Sequence, residues 1–240
     1  MSFIQAVIAA NKEIHTLLQE GLDESHHLSF SRGAGGDISV GIDLLAERIF
    51  IKHLLRFGMI ISEESGDIQS DNTSVKIVLD PIDGSDNLLS HLPYYGTSVA
   101  YFEHDKCTKA IICNLANGDL FIKEDGSLVR GKLYEEHVMP VQKNPYAKVG
   151  IFERSYCSSI VHERLKKEGL KYRSPGAFAL SLAYAHDVAF VIYEGKMRTY
   201  DIEAGIFMCE DLHTYLHEEI FLVSKDKEIF DKIKSLFISN

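Results

Sequence analysis

The sequence has no tryptophan, no C-x-x-C pair and no apolar run that approaches ~20 residues. Its four cysteines, which lie far apart, predict neither a zinc knuckle nor a disulfide framework and are typical of reduced core thiols: Cys107, Cys113, Cys157 and Cys209. Nothing resembles a signal peptide, an internal repeat or a low-complexity tract. We therefore expect a cytoplasmic protein with no membrane partner.

Positive charge is also in deficit, because 25 lysines and arginines face 35 aspartates and glutamates, for a net charge of -10. Such a balance disfavours a nucleic acid polymer as partner. It would also repel phosphate esters unless metal ions neutralised the site locally. The length of 240 residues and the 45% hydrophobic content predict an ordered globular protein, either one large domain or two packed halves.

The most informative segment reads D-P-I-D-G-S-D-N at positions 80–87, after an apolar run that predicts a buried strand. Gly84 allows a sharp turn, after which we expect Ser85 to cap a short helix. Asp80 and Asp83 can share hard cations, and the free amides of Gly84 and Ser85 would point at an anion. This combination suits a metal-bound phosphate ester, although a plain acidic turn between strand and helix uses the same residue types.

Hydrophobic periodicity organises the rest of the chain. It predicts helices over 3–18, 37–57, 158–168, 176–185, 201–212 and 227–237, and strands over 59–62, 75–79, 96–102, 109–114, 119–123, 149–152, 188–193 and 219–223. The stretch 22–36 has neither period and is predicted to be a surface loop. Consecutive hairpins favour a mainly antiparallel sheet in a first half, 1–145, and alternating strands and helices favour an α/β second half, 146–240.

Other acidic segments accompany the central one in a fixed order. I-I-S-E-E-S occupies 60–65 and contains Glu63 and Glu64, and Y-D-I-E-A-G occupies 200–205 and contains Asp201. Together with D-I-S-V-G-I-D at 37–43 and R-S-P-G-A at 173–177, these segments resemble the motifs of the inositol monophosphatase superfamily. That family also contains fructose-1,6-bisphosphatases and phosphatases of 3'-phosphoadenosine 5'-phosphate. The ordered agreement favours the metal site over the plain acidic turn.

The resemblance implies a fold, a cofactor and a reaction. The fold is an α/β (α+β) layered αβαβα sandwich that usually forms a homodimer. Two or three Mg²⁺ ions would be held at the junction of the two halves by Glu63, Asp80, the backbone carbonyl of Ile82, Asp83 and Asp201. Glu64 and Ser85 would orient or deprotonate the attacking water, so that Glu63, Glu64, Asp83 and Ser85 form the catalytic set. Gly84 and Ser85 would bind the phosphate of a small phosphorylated substrate.

The resemblance also implies substrate-contacting residues. Glu194 precedes Asp201 by seven residues, the spacing at which the family places a substrate-hydroxyl acceptor. Asp83 would accept a second hydroxyl, and Gly176 and Ala177 would let the substrate ring approach a helix N-terminus.

Several departures from the family pattern leave the substrate open. Phe178 stands where many members carry a small residue lining the inositol pocket, and Tyr200 replaces a frequent tryptophan. The expected reaction is magnesium-dependent hydrolysis of a small polyol or sugar phosphate such as inositol monophosphate. Fructose-1,6-bisphosphate and 3'-phosphoadenosine 5'-phosphate are the alternative substrates. A non-catalytic regulator that binds metal or phosphate is the alternative of another class.

Overall fold

The computed structural model describes residues 1–36 and 38–238, so that Asp37 of the upstream acidic motif lies outside the described residues. The helices are α1 (Phe3–Glu20), α2 (Gly41–Leu54), α3 (Ser85–Leu89), α4 (Ser159–Lys167), α5 (Phe178–Ala183), α6 (Thr199–Met208) and α7 (Lys227–Ile238). The strands are β1 (Ser29–Arg32), β2 (Ile38–Val40), β3 (Met59–Ser62), β4 (Gly66–Ile68), β5 (Val75–Asp83), β6 (Gly96–Glu103), β7 (Lys106–Asn114), β8 (Asp119–Glu124), β9 (Ser127–Lys132), β10 (Val138–Pro140), β11 (Gly150–Glu153), β12 (Tyr172–Arg173), β13 (Val191–Glu194), β14 (His213–His217) and β15 (Ile220–Ser224).

Two large sheets carry the fold. The first has eight strands in the order β10-β9-β8-β7-β6-β5-β3-β4 and is antiparallel except between β3 and β5. The second has five strands in the order β12-β11-β13-β15-β14, of which β12, β11 and β13 run parallel. A separate antiparallel pair joins β1 and β2. The predicted antiparallel sheet and the later alternation of strands and helices are both confirmed.

Apolar side chains on alternate strand positions bind helices to both faces of each sheet. In β5, Ile77 and Leu79 belong to the core shared with α1 and α2, whereas Val78 belongs to the core shared with α5 and α6. In β11, Ile151 packs toward α5 and α6, and Phe152 packs toward α4 and α7. The order helix, sheet, helix, sheet, helix is the layered αβαβα sandwich that the resemblance implies.

The region before α2 differs from its prediction. The stretch 22–36, expected to be an irregular loop, contains a 3₁₀ turn over Glu24–His27 and strand β1. The helix expected from residue 37 begins only at Gly41, because the preceding residues pair with β1. Gly41 packs so closely on the 3₁₀ turn that an added Cβ would lie 2.1 Å from the Ser25 carbonyl oxygen. Tertiary contact therefore overrides the helical period here.

A β-bulge lies inside the acidic motif. Asp80 pairs with Ser98 and Asp83 pairs with Gly96, so three steps along β5 oppose two steps along β6. In a regular strand, residues three apart point to opposite faces. The extra residue removes that conflict and brings both aspartates within electrostatic reach of Glu63 and Asp201.

The turn after the bulge depends on Gly84. Its φ of 85° is left-handed, and an added Cβ would lie 2.9 Å from the Cβ of Ala177. Gly84 is itself the N-cap of α3, and Ser85 is the first helical residue, so the expectation that Ser85 caps the helix is wrong. The Ser85 hydroxyl is consequently not committed to a capping bond.

None of the helices in the described part of the chain combines the length and the apolarity that a membrane crossing requires.

Candidate active site

Three carboxylates from separate elements meet in the structure. Glu63 directly follows β3, Asp80 lies in β5 and Asp201 lies in the first turn of α6. One oxygen atom from each lies within 4.8 Å of the others. Asp80 is only 2% exposed, and within the described residues its Oδ1 atom has no hydrogen-bond partner. A cluster of oxygen ligands with an unsatisfied buried atom is suited to a hard divalent cation.

An arginine bridges two of these carboxylates. Arg198 contacts Asp201 through Nε at 2.9 Å and through Nη2 at 3.1 Å, and it contacts Glu63 Oε1 through Nη1 at 2.7 Å. Its planar fork matches a carboxylate bidentately. The single positive charge of Arg198 cannot neutralise three ionised carboxylates. A bound metal ion would supply the missing positive charge.

Burial and mutual repulsion raise the pKa values of these acids. Burial raises the pKa of Glu63 to about 7, even though the charge of Arg198 opposes the shift. Burial, followed by the charges of Glu63, Asp83 and Asp201, raises the pKa of Asp80 well above its ordinary value. The nearby Asp43 carboxyl has its pKa raised to about 8, again chiefly by burial. A divalent cation would favour the ionised forms that burial disfavours.

Asp83 lies beside the cluster, outside the set of three. Its Oδ2 atom accepts a hydrogen bond of 2.7 Å from the backbone N–H of Leu180 in α5, and burial raises its pKa well above the ordinary value. Ile82 places its side chain in the core below α1 and α2. This hydrogen bond joins the acidic turn to α5, the helix that begins directly after Gly176 and Ala177.

The segment with three glycines before β2 covers the glutamate pair. Gly35 N–H donates to the Glu63 carbonyl at 2.7 Å, and Ala34 N–H donates to the Glu64 carbonyl at 2.9 Å. An added Cβ on Gly35 would lie 2.6 Å from Glu63 Cγ, and one on Gly33 would lie 3.1 Å from Glu64 Oε2. Glu63 and Glu64 therefore face different neighbours, as expected for adjacent residues on an extended chain.

A buried glutamate that the sequence did not single out holds the segment expected to contact substrate. Glu153, at the end of β11, is 2% exposed; it accepts hydrogen bonds from Gly176 N–H at 2.9 Å and from Ser181 Oγ at 2.5 Å. Burial raises the pKa of Glu153, while hydrogen bonds from the Ser181 hydroxyl and from the amides of Gly176 and Ala177 oppose the shift. These amide donors are already used, so Gly176 and Ala177 present their small size rather than free N–H groups.

Glu194 is the last residue of β13 in the second sheet. Its Oε2 atom is buried and, within the described residues, accepts no hydrogen bond. Phe178 does not line an open cavity: it is 5% exposed and stacks on Tyr193 with ring centroids 4.3 Å apart. Phe178 thus belongs to the core between α5 and the second sheet.

Arg198 and Glu153 were missed by the sequence analysis. Arg198 lies three residues before Asp201 at the start of a helix, a spacing at which side chains meet, so the pair was detectable in principle. Glu153 gave no local signal, because its partners lie in a segment more than twenty residues away.

Comparison with known proteins identifies the family of the chain. The family model described as the inositol monophosphatase family matches residues 2–215. A fructose-1,6-bisphosphatase of Pyrococcus furiosus is 30% identical over 182 residues, which cover 73% of this chain and 68% of that protein. The Nus factor SuhB of Xylella fastidiosa is 25% identical and covers 89% and 80% of the two chains.

Among solved structures, an IMPase of Thermotoga maritima superposes with a TM-score of 0.75 at 20% identity and covers 100% of this chain and 99% of its own. At that identity the likeness supports the fold. The family model and the Pyrococcus relative go further: this chain belongs to the inositol monophosphatase family.

Proposed function

We propose that the chain is a magnesium-dependent phosphomonoesterase that hydrolyses a small polyol or sugar phosphate. The observation that carries the proposal is the meeting of half-buried Glu63 with buried Asp80 and Asp201, with an unsatisfied oxygen on Asp80. Asp83 adds a fourth carboxylate beside them. A site with this much negative charge attracts a phosphate ester only when cations are bound.

The residues that would hold two or three Mg²⁺ ions are Glu63, Asp80, the Ile82 carbonyl, Asp83 and Asp201. The ions would polarise the phosphoryl group, activate water and stabilise the leaving alkoxide. Glu64 and Ser85 would orient the attacking water or take its proton, and Gly84 and Ser85 would bind the phosphate. Glu194 and Asp83 would accept substrate hydroxyls, while Gly176 and Ala177 leave room for the ring.

Removing the Ser85 hydroxyl is expected to lower kcat with every substrate. The loss should reach about 10² to 10⁴-fold if the hydroxyl takes part in proton transfer. Ser90→Ala, at the exposed C-terminal end of the same helix α3, is the matched control and should change kcat little. Steady-state kinetics on three unrelated phosphate esters measure the effect; a Ser85→Ala enzyme with normal kcat would remove Ser85 from the mechanism.

Glu194→Gln should instead act mainly on KM, and unequally among substrates, because a hydroxyl acceptor contributes only where a hydroxyl is present. Glu219→Gln changes an exposed acid beside the facing strand and serves as the control. An aryl phosphate, which offers no hydroxyl, should be hydrolysed normally by the Glu194 variant. An equal loss of kcat on all esters, including the aryl phosphate, would place Glu194 in the metal site.

The experiment that tests the activity is a phosphate-release screen with and without Mg²⁺. Its substrates are inositol monophosphate, sugar mono- and bisphosphates, and 3'-phosphoadenosine 5'-phosphate. Magnesium-dependent release from at least one ester is the expected result. If no ester releases phosphate while calorimetry still shows Mg²⁺ binding, the result would favour the non-catalytic regulator. The name of one relative, the Nus factor SuhB of Xylella fastidiosa, is the reason to keep this alternative.

The proposal also covers the domain organisation, the oligomeric state and the cellular location of the protein. We infer two halves, 1–145 and 146–240, with the metal site between them, because Glu63 and Asp80 precede the boundary and Asp201 follows it. A homodimer and a cytoplasmic location belong to the same proposal. Light scattering of the full chain tests the dimer.

A further inference from the structure

Glu153 is a buried carboxylate to which the proposed mechanism gives no task. It ends β11 in the second sheet and is 2% exposed, whereas the acidic turn follows β5 in the first sheet. A carboxylate is costly to bury unless polar groups bind it. The groups that donate to Glu153 therefore show which part of the chain this residue holds in place.

The donors lie in one short stretch, called here the 175–181 segment, which leads into α5. Oε2 of the carboxylate accepts from the Gly176 N–H at 2.9 Å, and Oε1 accepts from the Ser181 hydroxyl at 2.5 Å. The amide of Ala177 also donates to it. The Ser181 hydroxyl lies 3.0 Å from the hydroxyl of Tyr94. The carboxylate thus holds the segment at three points.

The 175–181 segment also contacts the acidic turn. The Leu180 N–H donates to Asp83 Oδ2 at 2.7 Å. The side-chain amide of Asn87 donates to the Pro175 carbonyl at 2.7 Å. An added Cβ at Gly84 would lie 2.9 Å from the nearest side-chain atom of the segment. The segment therefore connects the end of β11 to the acidic turn by direct contacts at each step.

The bond from Leu180 determines how Asp83 is presented. It occupies Oδ2 and fixes the plane of the carboxylate, so that Oδ1 remains for a metal ion or a substrate hydroxyl. Groups that orient a metal ligand affect metal affinity and activity nearly as much as the ligand itself does. The position of the Leu180 N–H depends in turn on the bonds that hold the segment to Glu153.

We propose that Glu153 is a positioning residue of the candidate active site, which holds the 175–181 segment so that Asp83 keeps the orientation needed to bind metal. The inference rests on the proposed phosphatase function and adds a residue to it. The partners of Glu153 are hydrogen-bond donors, so the role requires acceptor atoms at this position and does not require a negative charge.

Two substitutions of similar size separate these requirements. Glu153→Met removes the acceptors and should weaken Mg²⁺ binding, measured by calorimetry, about 10 to 100-fold. It should lower kcat to a similar extent on every ester, with KM changed much less, because Asp83 would serve all substrates. Glu153→Gln keeps an acceptor oxygen for the amides, and its NH₂ group can donate to the Ser181 hydroxyl. The Gln variant should therefore retain most of the affinity and most of the turnover.

Ser224→Ala is the matched control for a general loss of stability. Ser224 lies in β15 of the second sheet, is fully buried and donates to the Ala189 carbonyl at 2.7 Å. Its loss should lower Tm, as the loss of a buried hydrogen bond does, without changing Mg²⁺ affinity or kcat. Ser181→Ala removes one of the donors to Glu153 and should give a smaller loss of Mg²⁺ affinity and kcat than Glu153→Met.

Unchanged Mg²⁺ binding in a folded Glu153→Met chain would overturn the inference, as would a Gln variant as impaired as the Met variant. If Glu153→Met does not fold, Ser181→Ala decides: weaker Mg²⁺ binding supports the inference, and wild-type binding overturns it. If the wild type hydrolyses no ester, the proposed function fails, and Mg²⁺ binding by the variants still decides the inference. A wild type that binds no Mg²⁺ would overturn both.

Discussion

Asp80→Asn is expected to reduce turnover by at least about 10²-fold, because it removes a charge at the centre of the proposed metal site where electrostatic stabilisation is largest. Asp80 is almost fully buried, and its Oδ1 atom has no hydrogen-bond partner among the described residues. Calorimetric titration should show weaker Mg²⁺ binding. Turnover and thermal unfolding of the metal-free chain are the two further measurements.

The same variant should unfold at a higher temperature than wild type when metal is absent. Removing a carboxylate from a repelling cluster relieves the burial cost that raises the pKa of Asp80. Asp86→Asn is the control, because Asp86 belongs to the same acidic motif but is exposed. It should leave turnover and stability nearly unchanged. Near-normal turnover of Asp80→Asn at moderate Mg²⁺ would contradict the assignment of the metal site.

The second large effect is a loss of stability of the metal-free chain as pH rises. A carboxyl whose pKa is higher in the folded than in the unfolded chain stabilises the fold below its unfolded pKa, and this contribution is lost as pH rises through the folded value. Glu63, raised from 4.5 to about 7, corresponds to about 3 kcal/mol. Asp43, raised to about 8, acts in the same direction.

Between pH 5 and pH 8 we therefore expect the Tm of metal-free protein to fall by about 6–12 °C. Added Mg²⁺ should oppose the fall, because the ion binds the ionised carboxylates and binds more tightly as pH rises. Calorimetric scans in a chelating buffer and in excess Mg²⁺, across this pH range, measure both effects. A metal-free Tm that is constant or rises with pH would show that the acidic cluster is not strained.

Hydrophobic period and turn residues were sufficient for most helices and strands, and the layered order followed from the resemblance of the ordered motifs to the family. The motifs predicted that Glu63, Asp80 and Asp201 hold the same metal ions, and in the structure their three carboxylates lie together. Whether they bind metal stays a prediction. Periodicity could not reveal the bulge in β5, since the extra residue is defined only by pairing with β6.

Other features depended on contacts between distant segments. Ser85 was expected to cap α3, but Gly84 takes the cap position, with a left-handed φ and a close approach to Ala177 that leaves no room for a Cβ. The contacts of Glu153 with Gly176 and Ser181, and the contact of Arg198 with Glu63, join groups from different elements. Local pattern does not contain such information.

The margins of the eight-stranded sheet have a consequence for solution behaviour. Its two outermost strands, β4 and β10, are each three residues long, and β10 ends at Pro140, which has no N–H to donate. Short margins and a terminal proline give an incoming extended chain few hydrogen bonds with which to add to the sheet. The two edges of this sheet therefore offer little template for fibril growth by strand addition. We expect concentrated samples of the folded protein to show no increase in thioflavin T fluorescence.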